Sequence, residues 1–235
     1  MYILEGNIGA GKSTFLKLIG QHFPHISVCL EPIYNWHSEN NGQSLLKQFY
    51  DNPKRWAFTL ETLAMMSRVK EHLLEQQHKT ISRIVERSIY SGYYCFAKNS
   101  YNSEFLTDIE WNIYQDWFAF LTHNNCKVPD GFIYLKVDPC VAIERIKKRN
   151  RSAEDGITLD YLSDINKLHD SFLIEKNGID QALKDVPVLI LDCNAEFEAD
   201  KIQFAHHCHA LSDFLHDSAY DKKLHNPHQP TIQTL

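Results

Sequence analysis

The residues Gly6, Asn7, Ile8, Gly9, Ala10, Gly11, Lys12, Ser13 and Thr14 form an unbroken GxxxxGK(S/T) pattern. Glycines let such a loop wrap its backbone N–H groups around phosphate oxygens. A lysine in the place of Lys12 reaches the β- and γ-phosphates, and a hydroxyl in the place of Ser13 ligates Mg²⁺. The motif follows a strand-like run, Tyr2 to Glu5, and opens a helical one, the order a phosphate-binding loop requires. Binding of a nucleoside triphosphate is therefore the working premise.

Two further charged groups sit where strands end, the place open α/β sheets reserve for ligands. Glu31 follows the run Ile26 to Leu30, and Glu86 with Arg87 closes the run Ser82 to Glu86. A phosphoryl acceptor alcohol needs a carboxylate to orient it or take its proton, and the charge that develops needs an arginine nearby. The guanine-reading NKxD motif of GTPases is missing: Asn166-Lys167-Leu168-His169 lacks its Asp and falls inside a helical stretch. No transporter signature is evident, which leaves the small-molecule kinases among phosphate-loop proteins.

These groups need a frame. Short β-type runs (Tyr2 to Glu5, Ile26 to Leu30, Ser82 to Glu86, Phe132 to Val137, Val186 to Leu191) alternate with helical ones. That alternation predicts an α/β fold with a five-stranded parallel sheet flanked by helices. Helices are expected over Lys12 to Phe23, Lys54 to about Gln76, Tyr90 to Asn99, Asp108 to Thr122, Cys140 to Lys148, Leu159 to Lys176 and Phe197 to Leu215. The second of these is the best defined, with Pro53 in its first turn and apolar residues at helical spacing.

The chain has 235 residues, 43% of them hydrophobic, enough for a large core without disulfides or a structural metal. Its formal net charge of -6 has the wrong sign for a duplex binder, so nucleic acid is not an expected partner. No apolar run is long enough for a membrane helix, and no targeting segment is read at the start, so no membrane partner is expected. The six cysteines form no CxxC pair, which fits a reducing, cytoplasmic setting. One domain is expected over 1–216, with 217–235 a flexible tail of low core-forming content.

Several motifs together resemble the deoxynucleoside kinases of the deoxycytidine/deoxyguanosine kinase type. They are LEGNIGAGKSTF from Leu4, EPIYNW from Glu31, YDNPKRW from Tyr50, Ser67-Arg68, ERSIYS from Glu86, YQDW from Tyr114, and RIKKRNR from Arg145 to Arg151. The resemblance covers about residues 2 to 215. It implies transfer of the γ-phosphoryl group of ATP, with Mg²⁺, to the 5′-hydroxyl of a deoxynucleoside. By the same resemblance Glu31 receives the hydroxyl, Arg87 and Lys12 serve the transferring phosphate, and Glu86 with Ser13 holds the metal. Arg145, Arg149 and Arg151 form an arginine-rich lid, and Tyr50 with Glu154 holds the sugar 3′-hydroxyl. Trp36 and Phe96 wall the nucleoside pocket, with Leu60 beside them, and the helix carrying YQDW contributes to a homodimer.

At the base end the chain departs from the family pattern. Glu61 replaces a Gln that pairs with the base, and Gly92 replaces an Asp. An ionised carboxylate only accepts hydrogen bonds, so Glu61 suits guanine, which presents two adjacent N–H donors; Arg68, two turns along, matches a base-contacting arginine. This gives a purine lean with deoxyguanosine first. Two alternatives stand beside it, a protonated Glu61 or an ion pair between Glu61 and Arg68. Two other functions also remain open: a nucleoside monophosphate kinase of the thymidylate type, and a non-catalytic kinase-like assembly subunit. Of the cluster His206, His207, Cys208 and His209, only His206 and His209 share a helix face, and a packing or surface role is expected for it.

Overall fold

The computed structural model describes residues 1–31, 44–78 and 82–225, the last stretch without the side chains of Asn124 and of 216–225. Five parallel strands form one sheet: β1 (Tyr2–Gly6), β2 (Ile26–Cys29), β3 (Ser82–Glu86), β4 (Gly131–Lys136) and β5 (Val188–Asp192), in the order β2-β3-β1-β4-β5. The parallel register pairs Leu4 with Glu86 on one side of β1 and with Ile133 on the other. The α/β fold with helices on both faces is thus as the sequence predicts.

The period-two alternation of the strands explains the layers. Ile3, Phe132 and Tyr134 point to one face and enter a core with Phe49, Met65, Tyr90, Tyr114 and Phe172. Tyr2, Leu4, Ile133 and Leu135 point to the other and meet Phe15, Leu16, Ile19, Ile146 and Leu211. The first face is covered by α2 (Leu45–Asp51), α3 (Pro53–Glu75), α4 (89–102), α5 (Asp108–Asn125) and α7 (Leu159–Leu173). The second is covered by α1 (Lys12–His22), α6 (Pro139–Arg149) and α9 (Lys201–His225), and a short α8 (Gln181–Lys184) precedes β5.

Local chemistry sets the helix ends. Pro53 lies in the first turn of α3, and the Asn52 side chain caps that turn by accepting from the Arg55 N–H. Thr107 and Glu110 form a reciprocal capping box at the start of α5. The helix expected to reach Lys176 ends at Leu173, and Lys176 turns left-handed at φ 52°. The last helix starts at Lys201 rather than Phe197, because the Asp200 side chain accepts from the N–H groups of Ile202 and Gln203. Its backbone stays helical to His225, beyond 216, and 226–235 lie outside the described residues. Within α4 the stretch Gly92–Ala97 is π-wound, a local feature often found at functional sites. No described helix is long and apolar enough to cross a membrane.

Candidate active site

The carboxyl ends of β1, β2 and β3 deliver the phosphate loop, Glu31 and the pair Glu86-Arg87 to one edge of the sheet. There they line a cavity of about 260 Å³ together with Tyr50, Glu61, Phe96, Arg149 and Glu154. Its chemistry changes along its length, from the phosphate loop at one end to the apolar and aromatic surfaces of α3 and α4 at the other.

The loop is held open by backbone geometry. Gly9 and Gly11 adopt φ of 81° and 90°, where L side chains are strained, and a Cβ on Gly9 would lie 2.5 Å from the carbonyl oxygen of Ala142. No side chain caps the start of α1, which leaves its first N–H groups and its dipole for an anion. Asn7 fastens the loop by donating from Nδ2 to the Leu162 carbonyl at 2.8 Å. Lys12 is folded over the loop, donating to the carbonyls of Gly6 at 3.1 Å and Asn7 at 2.8 Å. Burial pushes its ammonium down to about 7, and Arg87 acts in the same direction, against the pull of Glu86 and Glu31. Ile8, Gly9, Gly11, Lys12, Ser13 and Thr14 line the cavity, while Gly6, Asn7 and Ala10 shape the loop from behind.

Ser13 Oγ donates to both oxygens of Glu86, at 2.9 and 3.1 Å. A hydroxyl and a carboxylate in contact at the mouth of a phosphate loop form an oxygen-only donor set, the kind a hard divalent cation prefers. These residues fit Mg²⁺ bound with the phosphates of a nucleotide.

Glu31 is gripped by two arginines from different elements. Its Oε1 accepts from Arg68 Nε at 3.1 Å and Nη2 at 2.8 Å, and its Oε2 accepts from Arg87 Nε at 3.2 Å. Burial would raise the Glu31 carboxyl, but Arg68, Arg87 and Lys12 outweigh it and hold it down at about 2. Arg87 itself has φ 66°, a left-handed conformation that a non-glycine residue adopts at a cost. The strained backbone turns its guanidinium back beneath the loop, where it also donates to the Gly6 carbonyl at 3.3 Å and lies 4.5 Å from the Phe96 ring centroid.

The other cavity walls come from α2, α3, α4 and α7. Leu60, Phe49 and Phe96 supply apolar surface. Tyr50 and Glu154 both face the cavity. Glu154 also receives Arg149, through Nε at 3.1 Å and Nη2 at 2.6 Å, and Arg151 lies 3.6 Å from its other oxygen. Arg145 stands apart from this pair: it donates to the carbonyls of Asn194 and Ala195 and does not line the cavity.

At the far end, Glu61 is buried on α3 and accepts from Ser100 Oγ at 3.0 Å. It makes no ion pair with Arg68, whose Nε and Nη2 are both engaged by Glu31. Gly92 lies behind Arg68: a Cβ there would come 2.7 Å from Arg68 Nη1, a buried donor without a partner among the described residues. Trp36 lies outside the described residues.

Five cavity residues carry no signal that sequence reasoning used: Lys17, Leu46, Phe49, Ala64 and Tyr161. Ala64 lies between Leu60 and Arg68 at i+4 spacing, so the helical period alone could have found it. Away from the cavity, His207 is buried against Phe15 and Phe197, and His209 pairs with Asp213 at 2.8 Å. No metal-ligating cluster occurs among the described residues.

The deoxynucleoside kinase family model matches residues 2–216. The chain is 37% identical to deoxycytidine kinase 2 of Gallus gallus, over 90% of this chain and 89% of that protein. It is 37% identical to deoxycytidine kinase of Homo sapiens, over 83% of this chain and 84% of that protein. With mitochondrial deoxyguanosine kinase of Xenopus laevis it shares 36% identity, over 83% and 82%.

Proposed function

The chain belongs to the deoxynucleoside kinase family, and from that membership we propose that it transfers the γ-phosphoryl group of ATP to the 5′-hydroxyl of a deoxynucleoside. The observation that carries this reading is Glu31. It is a carboxylate kept ionised by two buried arginines beside the phosphate loop, in one cavity with an apolar-walled recess. A neutral alcohol suits that carboxylate; an acceptor already bearing a phosphate would bring a second negative charge against it.

Phosphoryl transfer asks for positioning and charge compensation more than for covalent chemistry. Glu31 accepts the hydrogen bond of the 5′-hydroxyl and aims its oxygen at the γ-phosphorus. Because its carboxyl is held so low, Glu31 is a weak base, and orientation is its larger contribution, in keeping with a loose transition state in which the proton moves late. Arg87 moves part of its interaction from Glu31 to the transferring group as negative charge shifts there. Lys12 exchanges its two carbonyl partners for phosphate oxygens and regains full charge. Arg149 and Arg151 reach the phosphates from the lid, tethered by Glu154, which with Tyr50 also meets the sugar 3′-hydroxyl. Ser13 and Glu86 would hold Mg²⁺, which would supply charge neutralisation for the phosphates.

Base selection belongs to Leu60, Glu61, Phe96 and the α3–α4 surfaces around them. The related proteins carry both deoxycytidine and deoxyguanosine kinase names. Our reading is a purine lean with deoxyguanosine first, because an ionised Glu61 accepts from two adjacent N–H groups. Arg68 supports this lean less directly than its position suggests, since Glu31 takes two of its donors, Nε and Nη2, and leaves Nη1.

We also propose a homodimer through α5. Ile109, Ile113, Trp117 and Phe120 recur at helical spacing on α5 and are 71%, 42%, 53% and 56% exposed, an apolar stripe that a second copy would cover. The test of the catalytic reading is one matched panel, with ATP·Mg²⁺ offered to the four natural deoxynucleosides and to their 5′-monophosphates. Phosphorylation of nucleosides alone is expected. Phosphorylation of monophosphates alone would replace the reading with a nucleotide kinase, and silence throughout would favour an assembly role.

A further inference from the structure

The base end of the cavity holds an ionisable group that the transfer chemistry does not use. Glu61 projects from α3 seven residues before Arg68, about 10 Å of helix rise from the residue whose guanidinium clamps Glu31. Among the described residues its one hydrogen bond comes from Ser100 Oγ, to Oε1. Oε2 therefore remains for whatever enters the recess walled by Leu60 and Phe96.

We propose that Glu61 is a protonation-gated specificity residue, selecting guanine when ionised and admitting bases that place an acceptor beside a donor when protonated. The proposal rests on the kinase reading above and deepens it. Ionised, the two carboxylate oxygens accept from the adjacent N1–H and N2–H of guanine. Cytosine presents an acceptor, N3, beside its amino donor; adenine presents N1 beside its amino group; thymine presents a carbonyl oxygen beside N3–H. Each needs one donor and one acceptor from the protein. A protonated Glu61 supplies them, Oε2–H donating while Oε1 accepts, and it then matches a glutamine in hydrogen-bonding pattern. Guanine is served in either state, because its O6 acceptor adjoins N1–H.

The groups around Glu61 leave it as the one that titrates near neutrality at this end. Arg68 faces it from its own helix, Arg87 from the end of β3 and Ser100 from the end of α4. Tyr50 of α2, Tyr114 of α5 and Tyr161 of α7 also face it, and burial pushes all three phenols above their ordinary range, so they stay neutral. Burial pushes Glu61 up to about 7 against the opposing pull of Arg68, Ser100 and Arg87.

The test is the ratio of kcat/KM for deoxyguanosine to kcat/KM for deoxycytidine, measured from pH 6 to pH 8. Effects of Lys12, Glu31 or the nucleotide are common to both substrates and cancel in the ratio. One proton lost from Glu61 raises the ratio about tenfold over that range. In Glu61→Gln, which keeps the shape and the hydrogen-bond pattern of the protonated state, the ratio stays flat and favours deoxycytidine more than the wild-type protein does at pH 8. A wild-type ratio that does not change with pH overturns the inference while leaving the kinase reading intact. A pH-dependent ratio that persists in Glu61→Gln assigns the gate to another group and overturns it equally. A protein that phosphorylates no nucleoside at any pH removes the kinase reading, and the inference falls with it.

Discussion

Replacing Glu31 with Gln isolates the carboxylate that joins the alcohol site to the arginines. In the wild-type protein its two oxygens take three hydrogen bonds from Arg68 and Arg87, and its side chain is only 10% exposed. Holding the carboxyl at about 2 instead of 4.5 corresponds to roughly 3 kcal/mol of preference for the charged form. The folded-state value is depressed, so this stabilisation is complete above pH 4.5 and is lost as the pH falls through 2. At neutral pH the wild-type protein has all of it and Glu31→Gln has none. The amide also turns an NH2 toward one of the two guanidinium groups. Expected outcomes are a loss of roughly 3 kcal/mol in stability, a Tm lower by roughly 6–12 °C for a chain of this size, and kcat lower by roughly a hundred- to ten-thousandfold. Circular dichroism melts and a coupled ADP-release assay, run well below both melting temperatures, measure the two effects on the same sample. A variant whose kcat stays within threefold of wild type would refute Glu31 as the group that positions the acceptor, and an unchanged Tm would refute the clamp.

Three further predictions test other parts of the account. Gly9→Ala places a Cβ 2.5 Å from the Ala142 carbonyl at φ 81°; ATP binding measured by calorimetry should weaken at least tenfold, with strain of roughly 1–2 kcal/mol. His169 is fully buried, its Nδ1 hydrogen-bonded to the Ile165 carbonyl and its Nε2 without a partner among the described residues, and burial pushes it down to about 3. Below its unfolded value near 6.5 the unfolded chain takes up the proton first, so stability falls as pH falls. The His169 contribution is about 2 kcal/mol between pH 7 and pH 5, and urea melts of His169→Gln should show a correspondingly flatter slope. Trp117→Glu combined with Phe120→Glu puts charge on the exposed stripe of α5; sedimentation should then show a folded monomer, whereas the wild-type protein is expected to sediment as a dimer.

Much of the site is legible in the sequence because its parts are local. The phosphate loop is a contiguous pattern, and Glu31, Glu86 and Arg87 follow strands whose alternation is plain. Long-range partnership is what the sequence does not carry. Arg68 matches a base-contacting residue, yet it spends two donors on Glu31, 37 positions away. Glu5 reads as an ordinary strand residue, yet it is wholly buried, with one oxygen accepting from Ser88 across the β1–β3 pair. Arg145 lies one turn before Arg149 on the same face of α6, yet it donates to the Asn194 and Ala195 carbonyls after β5 while Arg149 reaches Glu154, a choice of partner that spacing does not carry. The helix Leu45–Asp51 is too short for its periodicity to stand out, and it brings Leu46, Phe49 and Tyr50 to the cavity.

The most direct test of the central claim is the position of the transferred group. The protein is incubated with γ-labelled ATP, Mg²⁺ and either deoxyguanosine or deoxycytidine, and the product is identified by mass spectrometry and phosphorus NMR. The account predicts one labelled phosphate, attached as a monoester at the 5′ carbon, with its formation slowed at least about a hundredfold in Glu31→Gln. Label found only in inorganic phosphate, or a product formed equally well by Glu31→Gln, would contradict it.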